Sequence, residues 1–330
     1  MNRLILPMVA LAAFLGPAQA QVQVQVQVSY PSKPIRIINP YPPGGGVDIV
    51  ARIVTEAMRT SLGQPIVLEN KPGAFGIIAA QDLRRASADG YTLVFGNVNT
   101  HAVWPAIQRK KFPFDFAKEI IAVAPVANTA SLLAATTKNF PPGDIKELIA
   151  YAQANPGKVR YSSIGVGSFP HLDVARLARR TGVEMSHIPT KGAAGMVQDL
   201  ITGDAHIGFV NAATAGPLVK SGQLRAIAVI TEERLPEFPE VKTMAEQGYA
   251  DIGTQNWFGI FARTGTPPHV LDVLHKAATE AVSKPETQEL FRKQSIQPFL
   301  KKSPDEARGW LQDELAKWDS IVKELDLAIE

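Results

Sequence analysis

The chain contains no cysteine. That one absence excludes disulfide bridges, thiolate catalysis and cysteine-ligated metal sites. A chain of 330 residues can do without staples, because two cores of ordinary size fit within it. Net charge is also scarce: 34 bases stand against 31 acids, interspersed, with no basic run of the kind that grips nucleic acid. Beyond the first twenty residues no stretch is apolar for the roughly 20 residues that a bilayer span requires. Familiar enzyme signatures are missing as well. There is no G-x-S-x-G, no H-E-x-x-H and no P-loop, and the histidines are too scattered to pair at i, i+4 around a metal. No cofactor and no nucleic-acid partner are expected.

What is present begins with a targeting segment. Arg3 provides the positive start, residues 4–15 an apolar core, and Ala18-Gln19-Ala20 the small-x-small cleavage pattern. Cleavage after Ala20 would place the mature protein outside the cytoplasm. With no cysteine to follow, a lipoprotein anchor is excluded. Residues 21–28 repeat Gln-Val. Their period of two could pair as an edge strand, but a new terminus suits a flexible leader better.

From Lys33 onward short β-rich runs alternate with amphipathic helices, the pattern of α/β architecture. Ile35-Arg36-Ile37-Ile38 reads as a strand, residues 42–46 as a glycine loop, and Val50, Ile53, Val54, Ala57, Met58 and Leu62 as one face of a helix stopped by Gly63. Strands are expected over 65–69, 91–96 and 159–163. Helices are expected over 144–154 and 168–181, the second stopped by Gly182. A third strand–glycine–helix unit runs from His187 through Lys191-Gly192 to Ile201. Leu311, Leu315, Trp318, Val322 and Leu325 place one face of a last helix against the body. In open α/β sheets ligands bind at the carboxyl ends of strands, where such glycine loops lie. Two facing lobes would bring two helix N-termini to one cleft, and their free N–H groups make an anion site without a basic side chain.

Two loops carry this reading. In the first, Pro40-Tyr41-Pro42-Pro43-Gly44-Gly45-Gly46-Val47-Asp48, prolines stiffen the chain and glycines let backbone amides approach a ligand. Asp48 complements the helix dipole and could hold a water or a ligand amine; equally, the loop is a tight strand-to-helix turn. In the second, Tyr161-Ser162-Ser163-Ile164-Gly165-Val166-Gly167-Ser168-Phe169-Pro170-His171, Ser168 suits an N-cap and Pro170 a first turn. His171 would then sit beside a bound anion, or pack between helix and loop. Lys191 could touch an anion or be a solvated surface residue. The four tryptophans read as core or hinge.

At these residues the sequence resembles the substrate-binding receptors of tripartite tricarboxylate transporters, the Bug group of Bordetella and related bacteria. Further landmarks run in order along the mature chain: Tyr30-Pro31-Ser32-Lys33-Pro34, Glu69-Asn70-Lys71-Pro72-Gly73-Ala74, Asp89-Gly90-Tyr91-Thr92-Leu93, Ala154-Asn155-Pro156-Gly157-Lys158, Leu224-Arg225-Ala226, Trp257-Phe258-Gly259 and Gly265-Thr266-Pro267. The resemblance implies an α/β, two-lobed periplasmic binding protein of type II, a Venus flytrap in which each lobe is a mixed sheet flanked by helices. Lobe 1 would comprise residues 29–127 and 253–330 and lobe 2 residues 128–252, with crossing strands near Asn128 and Thr254. It implies a monomeric receptor without enzymatic activity, a small carboxylate ligand gripped by backbone amides and waters, and large and small membrane permease subunits as partners. The site residues it suggests are Tyr41, Pro43, Gly44, Gly45, Gly46, Asp48, Phe75, Asn97, Ser163, Gly165, Gly167, Ser168, His171 and Asn211.

Departures from the family pattern bear on specificity. Val47 replaces a small polar residue, Phe75-Gly76-Ile77 replaces Gly-Gly-Asn, Thr190 replaces Tyr, and Val210 replaces Asp before Asn211. These changes make the expected wall more apolar and weaken the case for an amine-bearing ligand. They point to an aromatic or largely apolar mono- or dicarboxylate over citrate or an amino acid. Two alternatives remain at this stage: a receptor serving a membrane sensor, and a secreted hydrolase or isomerase using His171 with Asp48 or Ser168.

Overall fold

The computed structural model describes residues 30–109, 114–190 and 192–326. The targeting segment, the Gln-Val repeat and Lys191 lie outside the described residues.

The chain lays down β1 (Ile35–Asn39), α1 (Gly46–Leu62), β2 (Ile66–Asn70), α2 (Ile77–Arg85) and β3 (Thr92–Asn97), with β1 parallel to both β2 and β3. After α3 (Trp104–Ile107) and α4 (Phe116–Glu119) it runs through the long β4 (Ile120–Thr129). Ala130 alone separates β4 from β5 (Ser131–Thr136), the first strand of a second sheet. That sheet grows by α5 (Ile145–Ala154), β6 (Val159–Ser163), α6 (Phe169–Thr181), β7 (Met185–Pro189), α7 (Ala193–Thr202), β8 (Ile207–Asn211), α8 (Ala212–Lys220) and β9 (Leu224–Val229). Its order is β7-β6-β8-β5-β9, parallel over the first three strands and antiparallel at β5. The chain then returns as β10 (Asn256–Arg263), α9 (Pro268–Ser283), α10 (Pro285–Lys293), β11 (Ile296–Pro298) and α11 (Pro304–Glu324). The first sheet is thereby completed in the order β11-β4-β10-β3-β1-β2. These are two mixed sheets, each flanked by helices: the two-lobed architecture expected above.

The middle strands of the first sheet, β3, β4 and β10, are buried and largely apolar on both faces because helices cover both. Ile35 and Ile37 of β1 enter one core with Val50, Val54 and Met58 of α1, while Ile38 enters the other with Trp318 of α11. β10 divides likewise: Phe258 and Ile260 face the first core, Trp257 and Phe261 the second. Leu311, Trp318 and Val322 of α11 are buried, and Leu315 and Leu325 pack against the same core, on the face their spacing required. Gly63 and Gly182 end α1 and α6 with left-handed φ angles of 62° and 67°.

One packing feature positions the site. Gly96 of β3 lies opposite Gly259 of β10, and a Cβ on Gly96 would fall 2.0 Å from His101 Nδ1. The imidazole fills the space Gly96 leaves and stacks on Phe261, which packs on Gly259, with ring centroids 3.9 Å apart. Burial pushes its pKa down to about 3, so it serves as a neutral core group. The turn it anchors carries Asn97, Asn99 and Thr100 into the cavity described below. Gly96→Ala should therefore destabilise the protein by about 1–3 kcal/mol through overpacking, read as a lower urea midpoint. An unchanged midpoint would contradict this packing.

Candidate functional site

The loop between β1 and α1 is tied from beneath by Asp48, which is only 2% exposed. Its carboxylate accepts hydrogen bonds from Asn39 Nδ2 (3.1 Å), the Gly44 N–H (3.0 Å), Arg52 Nε (2.7 Å) and Asn70 Nδ2 (2.8 Å). Burial alone would raise its pKa, but the bonds from Arg52, Asn70 and Gly44 outweigh it and hold the carboxyl at about 2. Arg52 also offsets the negative charge, so Asp48 shapes the loop without opposing an anion at the helix end. What the knot presents is the start of α1, where the N-cap Gly45 is extended and no side chain caps the helix.

The second lobe presents a matching feature. α7 begins after Gly192, again without a side-chain cap. The starts of α6 and α8 meet the same space with their amides partly used. Asn99 Oδ1, from the first lobe, accepts the Phe169 N–H at 3.1 Å, and Asn211 Oδ1 accepts the Ala213 N–H at 2.9 Å. A cavity of about 670 Å³ lies among these four helix starts, in the size range of small-molecule sites. Tyr41, Gly45, Gly46, Phe75, Asn97 and Trp104 line it from the first lobe; Ile164, Gly165, Ser168, Gly192, Met196 and Asn211 line it from the second. Across its floor Tyr41 Oη donates to Asn97 Oδ1 (2.8 Å), and Asn97 Nδ2 donates to Asn256 Oδ1 (3.0 Å). Among the described residues no charged side chain lines it, and no group of three or more His, Asp or Glu could hold a metal. A second hollow of about 620 Å³ lies on the first lobe alone, among α3, α4 and α11.

Such a cavity, cut between two lobes and edged with unpartnered helix amides, suits a small anion. Residues 50–327 match the family model of the tripartite tricarboxylate transporter family receptor. The chain belongs to this family. It is 32% identical to protein BugT of Bordetella pertussis over 90% of both chains. Its fold is similar to periplasmic binding protein BugD, with a TM-score of 0.75 and 28% identity over 90% of this chain and 99% of that one. A Rhodopseudomonas palustris protein solved with adipate is 29% identical, with a TM-score of 0.77 over 90% of this chain and 98% of that one. MatC of the same organism, solved with bound malate, is 28% identical, with a TM-score of 0.74 over 89% of this chain and all of that one.

Of the residues singled out in the receptor's sequence, the cavity brings together Tyr41, Gly45, Gly46, Phe75, Asn97, Gly165, Ser168 and Asn211. Pro43, Gly44, Asp48, Ser163, Gly167 and His171 are not in its lining. Asp48 is committed beneath the first loop, where its carboxylate accepts from Asn39, Gly44, Arg52 and Asn70. Ser163 Oγ lies 2.7 Å from His187 Nε2 and bonds the Gly165 carbonyl, which props the second loop from behind. Ser168 occupies the N-cap position, yet its hydroxyl donates to the Gly165 carbonyl at 2.7 Å and does not cap the helix. His171 Nδ1 accepts the Gly167 N–H at 3.1 Å, and its ring stacks on His187 at 4.1 Å. Burial, with His187 beside it, pushes its pKa down to about 4. Ser168, His171 and Asp48 are thus each engaged elsewhere and do not form a nucleophile–base–orienter set. Val210 is buried in the second lobe's core, so its change from Asp leaves the cavity wall untouched. Ile77 packs against the first lobe's core.

Sequence reasoning missed Trp104, Asn99, Thr100 and Asn256. Asn99 and Thr100 could have been found, since they directly follow a strand's carboxyl end. Trp104 gave no such signal, because only the fold turns it towards the cleft.

Replacing Asp48 tests the knot. Asp48→Asn should lower unfolding free energy near neutral pH by about 1–3 kcal/mol. Because the folded carboxyl titrates at about 2, below the ordinary value near 3.9, its contribution is complete above about pH 4–5 and fades as pH falls towards 2. Urea unfolding at pH 7 and pH 2.5 should show the gap between variant and wild type closing. A gap independent of pH would exclude the ionised knot.

Proposed function

We propose that this protein is a periplasmic solute-binding receptor that captures a small carboxylate between its lobes and delivers it to the membrane subunits of a tripartite transporter. The observation that carries the proposal is the pair of uncapped helix starts, α1 and α7, on opposite sides of a cavity that no charged side chain lines among the described residues. Each supplies free N–H donors and roughly half a positive charge. A carboxylate could therefore be bound without any side-chain cation. Adipate and malate in related receptors support a carboxylate ligand. The family's name supports large and small permease subunits as partners.

The lobes in this reading are residues 29–127 with 253–330, and 128–252, with cleavage after Ala20 releasing the mature chain. The sites of flexing are the two crossings, where Asn128 Nδ2 donates to Gln255 Oε1 at 2.8 Å and ties one crossing to the other. Ligand contact comes from the Tyr41–Gly46 loop and from Gly192 at the start of α7, with the Gly165–Ser168 loop, Asn97 and Asn211 beside them.

Gly46 offers a clean test. A Cβ there meets nothing within 4 Å, and the residue stands in the first turn of α1, so a larger side chain obstructs the cavity without straining the fold. Native mass spectrometry of protein purified without denaturation should find a small acid retained by wild type and absent from Gly46→Val. In the wild type, an acid at a hundred times its Kd should raise stability by about 2.7 kcal/mol. A retained acid equally abundant in both proteins would place the site elsewhere.

A further inference from the structure

Phe75 departs from the rules its residue type follows. Its side chain is 58% exposed, although phenylalanine is ordinarily buried. Its backbone lies at φ 52° and ψ 36°, in the left-handed region that residues other than glycine and asparagine seldom adopt, and Ala74 before it has φ 43°. Strain of this kind persists where the surroundings enforce it, and it concentrates at ligand clamps. The enforcing contact here is with Trp104, whose ring lies 3.7 Å from that of Phe75 between centroids, with 18° between planes. Trp104 in turn meets the second lobe: a Cβ on Gly167 would come within 3.2 Å of its Cη2. The indole is thus fixed on the seam between the lobes. Phe75 lies on it as an outer leaf, with over half its surface open where it lines the cavity.

The rest of the lining limits what can bind there. Val47, Ile164, Val166, Met196, Phe209 and Phe258 give the cavity an apolar wall. Among the described lining residues there is no carboxylate to meet an ammonium group and no cation to meet several carboxylates. The two uncapped helix starts together balance about one negative charge. A citrate would bring more charge than that and would lose hydration it could not recover against this wall.

We infer that the ligand is an aromatic carboxylate, a planar ring bearing one carboxylate. Its ring extends the Trp104–Phe75 stack, and a carboxylate oxygen accepts hydrogen bonds from the amides at the start of α1 or α7. This inference rests on the receptor reading and adds the ligand class to it. Phe75 is the specificity-determining residue.

Calorimetric titration of the purified chain with benzoate, cinnamate, adipate, citrate and glutamate tests it, using wild type, Phe75→Leu, Phe75→Tyr and Gly46→Val. Adipate is the strongest competitor, since a related receptor was solved with it. Benzoate or cinnamate should bind at least about tenfold more tightly than the other three acids. Phe75→Leu, which keeps apolar bulk but removes the ring, should weaken the aromatic acids by roughly three- to tenfold, the worth of one stacked ring pair. Phe75→Tyr should retain their affinity, and Gly46→Val should abolish it. Thermal unfolding without ligand checks that each variant folds; the wild-type panel and Phe75→Tyr decide the matter even if Phe75→Leu does not. Tighter binding of adipate, citrate or glutamate, abolished by Gly46→Val and indifferent to Phe75→Leu, would overturn the aromatic inference and leave the receptor reading intact. Aromatic acids unaffected by both Gly46→Val and Phe75→Leu, or no binding by any acid, would overturn both.

Discussion

The first turn of an α-helix carries N–H groups that the helix itself cannot satisfy, and side chains or water ordinarily complete them. In this chain α1 and α7 begin with glycine at the N-cap and leave those groups facing a cavity. Most of the surrounding structure follows from that arrangement. A backbone donor can reach a ligand only if no Cβ stands in the way, and glycine stands at the start of each helix. A backbone donor is also fixed in direction, so each loop needs rigid support. For α1 that support is Asp48 beneath the loop; at α7 Thr190 Oγ1 donates to the Gly192 carbonyl at 2.9 Å, and the neighbouring Gly165–Ser168 loop, at the start of α6, is propped by Ser163 with His187 and by His171.

The same logic explains why side chains that look chemically active do not line the cavity. An ionised Asp48 in the first turn of α1 would oppose an incoming anion were it not paired with Arg52. A charged His171 would add a cation to the second loop, but burial keeps it neutral at ordinary pH. Both loops therefore present amide dipoles and little else. The lobes are joined in this geometry by the Phe169 N–H bond to Asn99 and by the packing of Gly167 against Trp104. Opening the cleft would have to break both. The hydrogen bond alone is worth about 0.5–1.5 kcal/mol, and Arg176 of α6 adds a further tie across the seam, its Nε 3.3 Å from Glu324 of α11.

Much of this was legible in the sequence, for identifiable reasons. β1 reads as four consecutive apolar or long residues because both faces of its sheet are covered. α1 and α6 end at Gly63 and Gly182 because left-handed closure needs glycine there. The two glycine loops could be found because their function lies in the backbone, and glycine marks backbone function directly. Side-chain roles were harder to read. Asp48 and His171 have the right chemistry and lie close to the right place, yet hydrogen bonds to backbone and to distant residues such as Asn70 keep them out of the cavity lining, and Ser168 reaches the lining with its hydroxyl spent on the Gly165 carbonyl. Trp104 lies in a short turn after β3 and reads as core until the fold sets it against Gly167. Val210 was misread for a related reason: in a strand buried on both sides, sequence position does not tell which face looks at the ligand.

The account turns on how the carboxylate is held, and a crystal structure of the protein with a bound acid tests that most directly. It predicts carboxylate oxygens within about 3.2 Å of backbone nitrogens in the first turn of α1 or α7, with no lysine or arginine in contact. A carboxylate paired instead with a side-chain cation, or bound away from both helix starts, would contradict it.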